Sequence, residues 1–166
     1  MKLEKYALIA EVVSAIAVVT TLIFVIAEIR ANTDATLAAN RQSLAGRTEQ
    51  FLAATATNPE LAALVVKVRS DEELTDVERF QYGSLLAQAL RLAEEGYLQY
   101  LDGNLASDYW QTRARNTVDS RMDGRLSREL YYEWSERGWF TPQFTEWLDG
   151  ELELKYGSHR PGAKNP

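Results

Sequence analysis

The chain has 166 residues, a formal net charge of −6 at pH 7, no cysteine and a single histidine. The missing cysteines exclude disulfides and thiolate chemistry, and one histidine cannot build a catalytic triad or a His/Cys zinc site. An acidic chain repels phosphate backbones, so we expect no nucleic-acid partner.

The first predicted element is a transmembrane helix from about Tyr6 to Ile29. Its apolar part, residues 7–27, contains Glu11 as its only charge and has about the 20 residues needed to cross hydrocarbon. A cleaved signal peptide is the competing interpretation, but the run is too long for one and residues 27–31 offer no small-x-small cleavage site. We therefore predict a single-pass membrane protein. The basic residues on the two sides of the span are nearly equal in number. They give only a slight bias towards a cytoplasmic C-terminal domain.

One face of this helix is predicted to be its most polar face, because polar residues recur there at steps of three and four. The residues of this polar stripe are Glu11, Ser14, Val18, Thr21, Val25 and Glu28. Lipid offers no partner for a carboxylate or a hydroxyl, so the stripe is expected to face protein or water. Small side chains that permit close helix contact lie on an overlapping face: Ala7, Ala10, Ser14, Ala17 and Thr21. Both patterns predict a homo-oligomer or a membrane-protein partner.

The helical pattern continues beyond the membrane as a stalk to about Thr57, since no glycine or proline interrupts it before Gly46. Leu37, Leu44 and Phe51 recur every seven residues along one face. The polar stripe continues along another face through Asn32, Ala35, Ala39, Gln42, Gly46 and Glu49. In the first interpretation the Leu/Phe face packs on the domain and the polar face is exposed to solvent. In the second, the polar face lines the axis of a homo-oligomer. Residues 1–58 form the first predicted domain.

Residues 59–155 are predicted to form a helical soluble domain. Asn58-Pro59 begins its first helix, with asparagine as the cap and proline at the first helical position. Thr75 and Glu78 form a capping box that begins a long amphipathic helix. The apolar pattern of that helix includes Phe80 and runs to a stop at Asp102-Gly103.

Three shorter helices complete the predicted domain. Ser107 is expected to cap the first of them, which ends before Gly124. The second covers residues 126–136 and ends at Gly138, and Thr141-Pro142 begins the last. Residues 156–166 are predicted to be a flexible tail. The fold class is therefore all-α: a transmembrane helix continuing into a long stalk helix, followed by a small bundle of about five helices.

Several segments resemble a known group of proteins. They are AEVVSAIAVVTTLIFVIAEIRANT at residues 10–33, ERF at 78–80 followed by EEGYLQYLDGNL at 94–105 and Trp110, and GWFTPQFTEWLD at 138–149. They resemble an uncharacterised family of small bacterial, mainly proteobacterial, membrane proteins. The resemblance implies one N-terminal transmembrane helix, an all-helical soluble domain and a place in the bacterial inner membrane. It carries over no catalytic or binding residue.

Glycine-rich phosphate-binding motifs are missing from the sequence, which contains neither GxxxxGK[ST] nor GxGxxG. Carboxylates cluster at residues 71–73 and at Glu94-Glu95. Adjacent residues on a helix diverge by about 100°, so Glu94 and Glu95 cannot point into one site, and we expect all of these carboxylates to be solvated. We predict no catalytic residue, metal ligand or cofactor, and therefore no enzyme.

Aromatic residues are concentrated near the end of the chain, at Tyr131, Tyr132, Trp134, Trp139, Phe140, Phe144 and Trp147. The spacing of three between Tyr131 and Trp134, and between Phe144 and Trp147, favours a core. The alternative is a partner surface that includes Trp134, Trp139, Phe140 and Trp147.

The sequence thus favours a non-enzymatic, membrane-anchored protein that acts as an oligomeric scaffold or as an accessory subunit of a membrane complex. Its expected partners are membrane lipid and either a second copy or another membrane protein. The alternative is a cation-conducting homo-oligomeric pore lined by the polar stripe, in which Glu11 and Glu28 form two acidic rings.

Overall fold

The computed structural model describes residues 2–157, and the side chains of all of these except residues 2–4, 113, 114 and 117. Every regular element in the described range is helical and none is a strand, which confirms the predicted all-α class. The chain divides into two compact units, Met1–Ala39 and Asn40–Pro166. The second unit contains the helical bundle.

Helix α1 (Lys2–Thr57) covers both the predicted span and the predicted stalk. It ends where the sequence predicts, because a residue that precedes proline is disfavoured in the helical conformation. Asn58 accordingly adopts an extended backbone and begins α2 (Pro59–Arg69). Its side-chain oxygen accepts hydrogen bonds from the backbone N–H groups of Glu60 and Leu61, at 3.0 and 3.3 Å.

Helix α3 (Asp76–Leu101) begins with the predicted capping box. The Thr75 hydroxyl accepts from the Glu78 backbone N–H, and the Glu78 carboxylate accepts from the Thr75 backbone N–H. Asp102 is the C-terminal cap residue of the helix, and Gly103 follows with φ +71°, a left-handed conformation that glycine adopts without steric cost. Both ends therefore agree with the sequence prediction.

The next helical stretch differs from the prediction. It consists of α4 (Ser107–Tyr109), a π-helical segment (Trp110–Ala114) and α5 (Arg115–Arg121). Ala106 is the cap residue and makes no side-chain capping bond, so the prediction that Ser107 caps this helix is wrong. The Asp108 carboxylate instead accepts from the Tyr109 backbone N–H, at 2.8 Å.

Two helices complete the described chain, α6 (Arg125–Glu136) and α7 (Pro142–Tyr156). Gly138 follows α6 with φ +70°, and Pro142 is the first residue of α7, both as predicted. Tyr156 was predicted to belong to the tail, but it ends α7 and its hydroxyl donates to the Asp123 carboxylate at 2.7 Å. Residues 158–166, including His159, lie outside the described residues.

The second unit buries two hydrophobic clusters. The larger is built from α2, α3, α5, α6 and α7 around Leu86, Leu90, Tyr131 and Phe144. The smaller contains Leu44, Leu105 and Trp110, with Tyr97, Tyr100 and Trp147 packed against it. Helices α1 and α3 approach closely at Gly96, where an added Cβ would lie 3.1 Å from Leu44 Cδ2.

The stalk part of α1 inside this unit has one buried and one exposed side. Leu44 is buried and Phe51 is half-buried. Gln42, Gly46 and Glu49 on the polar face are exposed in the single chain. The Leu/Phe face thus packs on the domain as the first interpretation predicts, and a polar face that is exposed in a single chain is expected under both interpretations.

Candidate functional site

The N-terminal part of α1 presents an uncovered apolar surface. Every described side chain from residue 5 to residue 36 is exposed, with Phe24 at 71 % and Ile23 at 62 %. An 18-residue window of this helix reaches a mean hydropathy of 2.5 with no part of it buried, so by length and composition the helix can cross a membrane. An apolar patch of this extent on a single chain indicates a surface that lipid or protein covers.

The exposed helix has two faces that differ in side-chain size. The face that contains the polar stripe also carries the small residues Ala10, Ser14 and Ala17. The opposite face, at the same three-four spacing, carries only β-branched aliphatic side chains: Val12, Ile16, Val19, Ile23 and Ile26. Such segregation is typical of a membrane helix that packs through its small side and meets lipid with its bulky side. The first face was expected from the sequence, and the second was not.

The two threonine hydroxyls of the span have partners within their own helix. Thr21 donates to the Ala17 carbonyl at 2.9 Å and Thr20 donates to the Ile16 carbonyl at 2.8 Å. The expectation that each hydroxyl of the stripe needs another protein or water is therefore wrong for Thr21, because bonding to the carbonyl one turn earlier satisfies it. Glu11 and Glu28 are exposed and form no ion pair within the described residues.

Glu94 is buried, with 5 % of its surface exposed, so the expectation of a solvated side chain is wrong for it. Its carboxylate accepts from the Thr141 backbone N–H at 2.5 Å and from Arg91 Nη1 at 3.0 Å. Thr141 is the cap residue of α7, so the carboxylate lies at the positive end of that helix. These partners compensate for the loss of water around the charge and fix α7 against α3.

Glu95 points in another direction from Glu94, as the helical geometry predicts. Both of its carboxylate oxygens accept from the Arg47 guanidinium, in the two-pronged arrangement that makes Arg–carboxylate pairs strong. The contact raises the pKa of Arg47, chiefly through this hydrogen bond. It ties the stalk part of α1 to α3. The two glutamates therefore join different helices and form no common site.

The predicted partner surface is divided between interior and exterior. Phe140 and Trp134 are buried, and Trp147 is half-buried with its ring 5.0 Å from that of Tyr97. Trp139 is 43 % exposed and stacks on Trp134 at a centroid distance of 5.3 Å. Of the four predicted residues, Trp139 alone is exposed, and its ring is partly covered by Trp134.

Grooves on the surface of the second unit include an aromatic groove and a stalk groove. The aromatic groove, of about 440 Å³, runs between α3 and α6 and contains Phe80, Gly83, Trp134 and Trp139. Phe80 is 76 % exposed, although the apolar pattern of α3 placed it with the buried residues. The stalk groove, of about 330 Å³, lies between α1 and α3 and is mostly apolar. Their sizes are within the range of small-ligand pockets.

Among the described residues no group of three or more His, Cys, Asp or Glu side chains is arranged to hold a metal ion. The comparisons with known proteins found no relationship: no family model, curated protein or solved structure matches this chain.

Proposed function

We propose that the protein is a non-enzymatic, single-pass membrane protein that self-associates through the small face of its span and acts as a scaffold or accessory subunit. The observation that carries the proposal is the uncovered apolar surface of residues 5–27, divided into a small face and a bulky face. Small side chains allow two helix backbones to approach closely, which is the main source of helix association in lipid.

The bacterial inner membrane is the proposed location, as the family resemblance implies. We place the bundle on the cytoplasmic side. A single cysteine at the exposed Ser84 tests this, because the chain has no other cysteine. A membrane-impermeant maleimide should label Ser84→Cys only after spheroplasts are lysed. Labelling of intact spheroplasts would reverse the topology.

Disulfide scanning tests the proposed interface directly. Single cysteines at Ala10, Ser14 or Ala17 should form cross-linked dimers in native membranes on mild oxidation. Cysteines at Val12 or Val19, on the opposite face, are matched controls of the same depth and should remain monomeric. Equal cross-linking on both faces would mean that the helices meet by random collision in the membrane and have no defined interface, which would contradict the proposal.

The pore alternative is decided by ion flux. Purified protein in liposomes should give no cation flux above that of empty liposomes, because Val18 and Val25 leave the middle of the stripe apolar. Flux that is abolished by Glu11→Gln or Glu28→Gln, with the oligomer intact, would replace the scaffold proposal with the pore.

A further inference from the structure

We propose that the aromatic groove binds a basic amphipathic helix of a partner protein. The groove runs between α3 and α6 and has a volume of about 440 Å³. It belongs to the second unit, whereas the small face of the span belongs to the first. Binding at the groove is therefore independent of self-association through the span, and either proposal can fail without the other.

The groove has an apolar floor and open aromatic edges. The buried residues that line it are Gly83, Leu130 and Trp134. The exposed aromatic residues that line it are Phe80, with 76 % of its surface exposed, and Trp139. Exposed aromatic side chains beside an apolar floor are typical of a surface that another protein covers.

The shape of the groove is formed before any partner binds. Gly83 has no side chain where α3 faces α6, and a Cβ there would lie 3.6 Å from the Trp134 ring. The Trp139 ring stacks on Trp134 with 5.3 Å between centroids and 9° between planes, so its position is fixed by contact. A preformed surface loses less conformational entropy on binding than one that must be ordered.

The length of the groove suits a helix. Its lining residues on α3 recur at steps of three and four from Asp76 through Phe80 and Gly83 to Ala87. The helix rises about 17 Å between the first and the last of them, which is about three turns of a second helix. A helix that lies in such a groove contacts it through apolar residues at positions i, i+4 and i+7. The occupant we infer therefore has one apolar face.

Charge determines which amphipathic helix fits. Residues 40–157 contain 20 acidic and 13 basic side chains, a net charge of −7. The charged residues that line the groove are Asp76, Arg79 and Glu133, and residues 71–73 add three exposed carboxylates directly before α3. This negative potential attracts a basic helix and repels an acidic one. It also disfavours an anionic lipid surface as the occupant.

The charged side chains of the groove are open to a partner. Asp76 and Arg79 are exposed and form no ion pair within the described residues. Glu133 pairs with Arg137 at 2.8 Å, but both side chains are largely exposed, and such pairs within one helix are weak. A lysine or arginine of the partner can therefore bind Asp76 and Glu133, while Arg79 can bind one carboxylate of an otherwise basic helix.

Cysteine protection tests the site with a synthetic peptide and the full chain in phosphatidylcholine nanodiscs. The peptide has leucine at positions i, i+4, i+7 and i+11 and lysine at most other positions. Ser84 lines the groove, so the maleimide reaction of Ser84→Cys reports on its occupancy in a chain without other cysteines. At a peptide concentration about tenfold above its Kd we expect the reaction to slow about tenfold, because only the open groove reacts. Ser107→Cys, at an exposed serine of α4 outside the groove, is the matched control and should react at an unchanged rate.

Variants of the exposed rings locate the binding. Phe80→Ala and Trp139→Ala, each combined with Ser84→Cys, should restore the reaction rate in the presence of the peptide, because they remove the aromatic edges. Leu154→Ala is the matched control, since Leu154 is an exposed apolar residue of α7 that does not line the groove. Circular dichroism should show unchanged helicity for all three. Protection that persists in both ring variants would overturn the proposal.

Two further peptides test shape and charge. A scrambled sequence of the same composition has no apolar face, and replacement of every lysine by glutamate reverses the charge, so neither peptide should protect Ser84→Cys. Equal protection by either of them, or no protection by the lysine peptide, would overturn the proposal. Protection without peptide that increases with protein concentration would assign the groove to a second copy of the chain. Protection without peptide that appears in phosphatidylglycerol discs would assign it to the membrane surface, and either outcome would replace the partner helix.

Discussion

At the scale of single residues, two adjacent glutamates show how the environment of a carboxylate determines its contribution to the free energy of unfolding. Glu94→Ala removes a buried acceptor from the Thr141 N–H, which should cost about 1–3 kcal/mol in the free energy of unfolding. Glu95→Ala removes a half-exposed ion pair and should cost less than about 1 kcal/mol. Denaturant unfolding of the full chain in detergent measures both. Equal losses would show that the burial of Glu94 has no energetic consequence.

Glu78 should contribute to stability in a defined pH range. Its hydrogen bonds with Lys67 and Thr75 lower its pKa from 4.5 to about 2. Because the folded pKa lies below the unfolded one, this contribution is present above pH 4.5 and is lost as the pH falls towards 2. Unfolding curves of the wild type and Glu78→Gln, compared between pH 6 and pH 2, should therefore converge on acidification. A constant difference between the two proteins would contradict this assignment.

At the scale of helices, two glycines of α3 should respond differently to the same substitution. A Cβ at Gly83 would make ordinary contact with Trp134 at 3.6 Å, so Gly83→Ala should gain about 0.5–1 kcal/mol from helix propensity. At Gly96 a Cβ would lie 3.1 Å from Leu44 and 3.5 Å from Trp110, both tightly buried. Gly96→Ala should therefore lower the thermal midpoint. A rise for both variants would mean that α1 and α3 can separate without cost.

The aromatic contacts of α7 give a second comparison at this scale. Trp147 packs against Tyr97, Trp110 and Phe144 at centroid distances of 5.0–5.5 Å, so Trp147→Ala should destabilise the bundle by about 3–5 kcal/mol. Trp139→Ala removes a partly exposed ring and should cost much less. Near-UV circular dichroism and thermal unfolding distinguish these outcomes. A stable, well-folded Trp147→Ala protein would move this residue from core to partner surface.

The helices were predictable where the cause lies within a few residues. Thr75 and Glu78, Asn58 and Pro59, and Gly138 determine helix ends through local hydrogen bonds and backbone preferences. The role of Glu94 was not predictable, because its partner Thr141 is 47 residues away. The π-helical turn at Trp110 and the exposure of Phe80 likewise depend on packing by other helices, which periodicity in one helix does not reveal.

The candidate sites were also predictable only where their residues lie on a single helix. The small face of the span was visible in the sequence because it lies on one helix, where spacing alone places residues together. The aromatic groove was not, since it lies between two helices, α3 and α6, that are not neighbours in the chain. The self-bonding of Thr21 was missed because a hydroxyl in a helix can use a carbonyl of the previous turn.

At the scale of the whole molecule, an acidic bundle and an uncovered apolar helix belong to one chain. The exposed helix carries no charge between Glu11 and Glu28, which is the length of a membrane interior within a few residues. Under the proposed function, self-association in the membrane covers the small face of that helix and lipid covers the bulky face. The function proposed for the chain depends on this division.

The oligomer mass in a membrane mimetic tests this claim most directly. Native mass spectrometry of the purified chain in detergent should show a defined homo-oligomer for the wild type. Ala17→Leu, which forces the backbones apart on the small face, should reduce it to monomers, whereas Ile23→Leu on the opposite face should leave it unchanged. A monomeric wild type, or an oligomer that survives Ala17→Leu, would contradict the account.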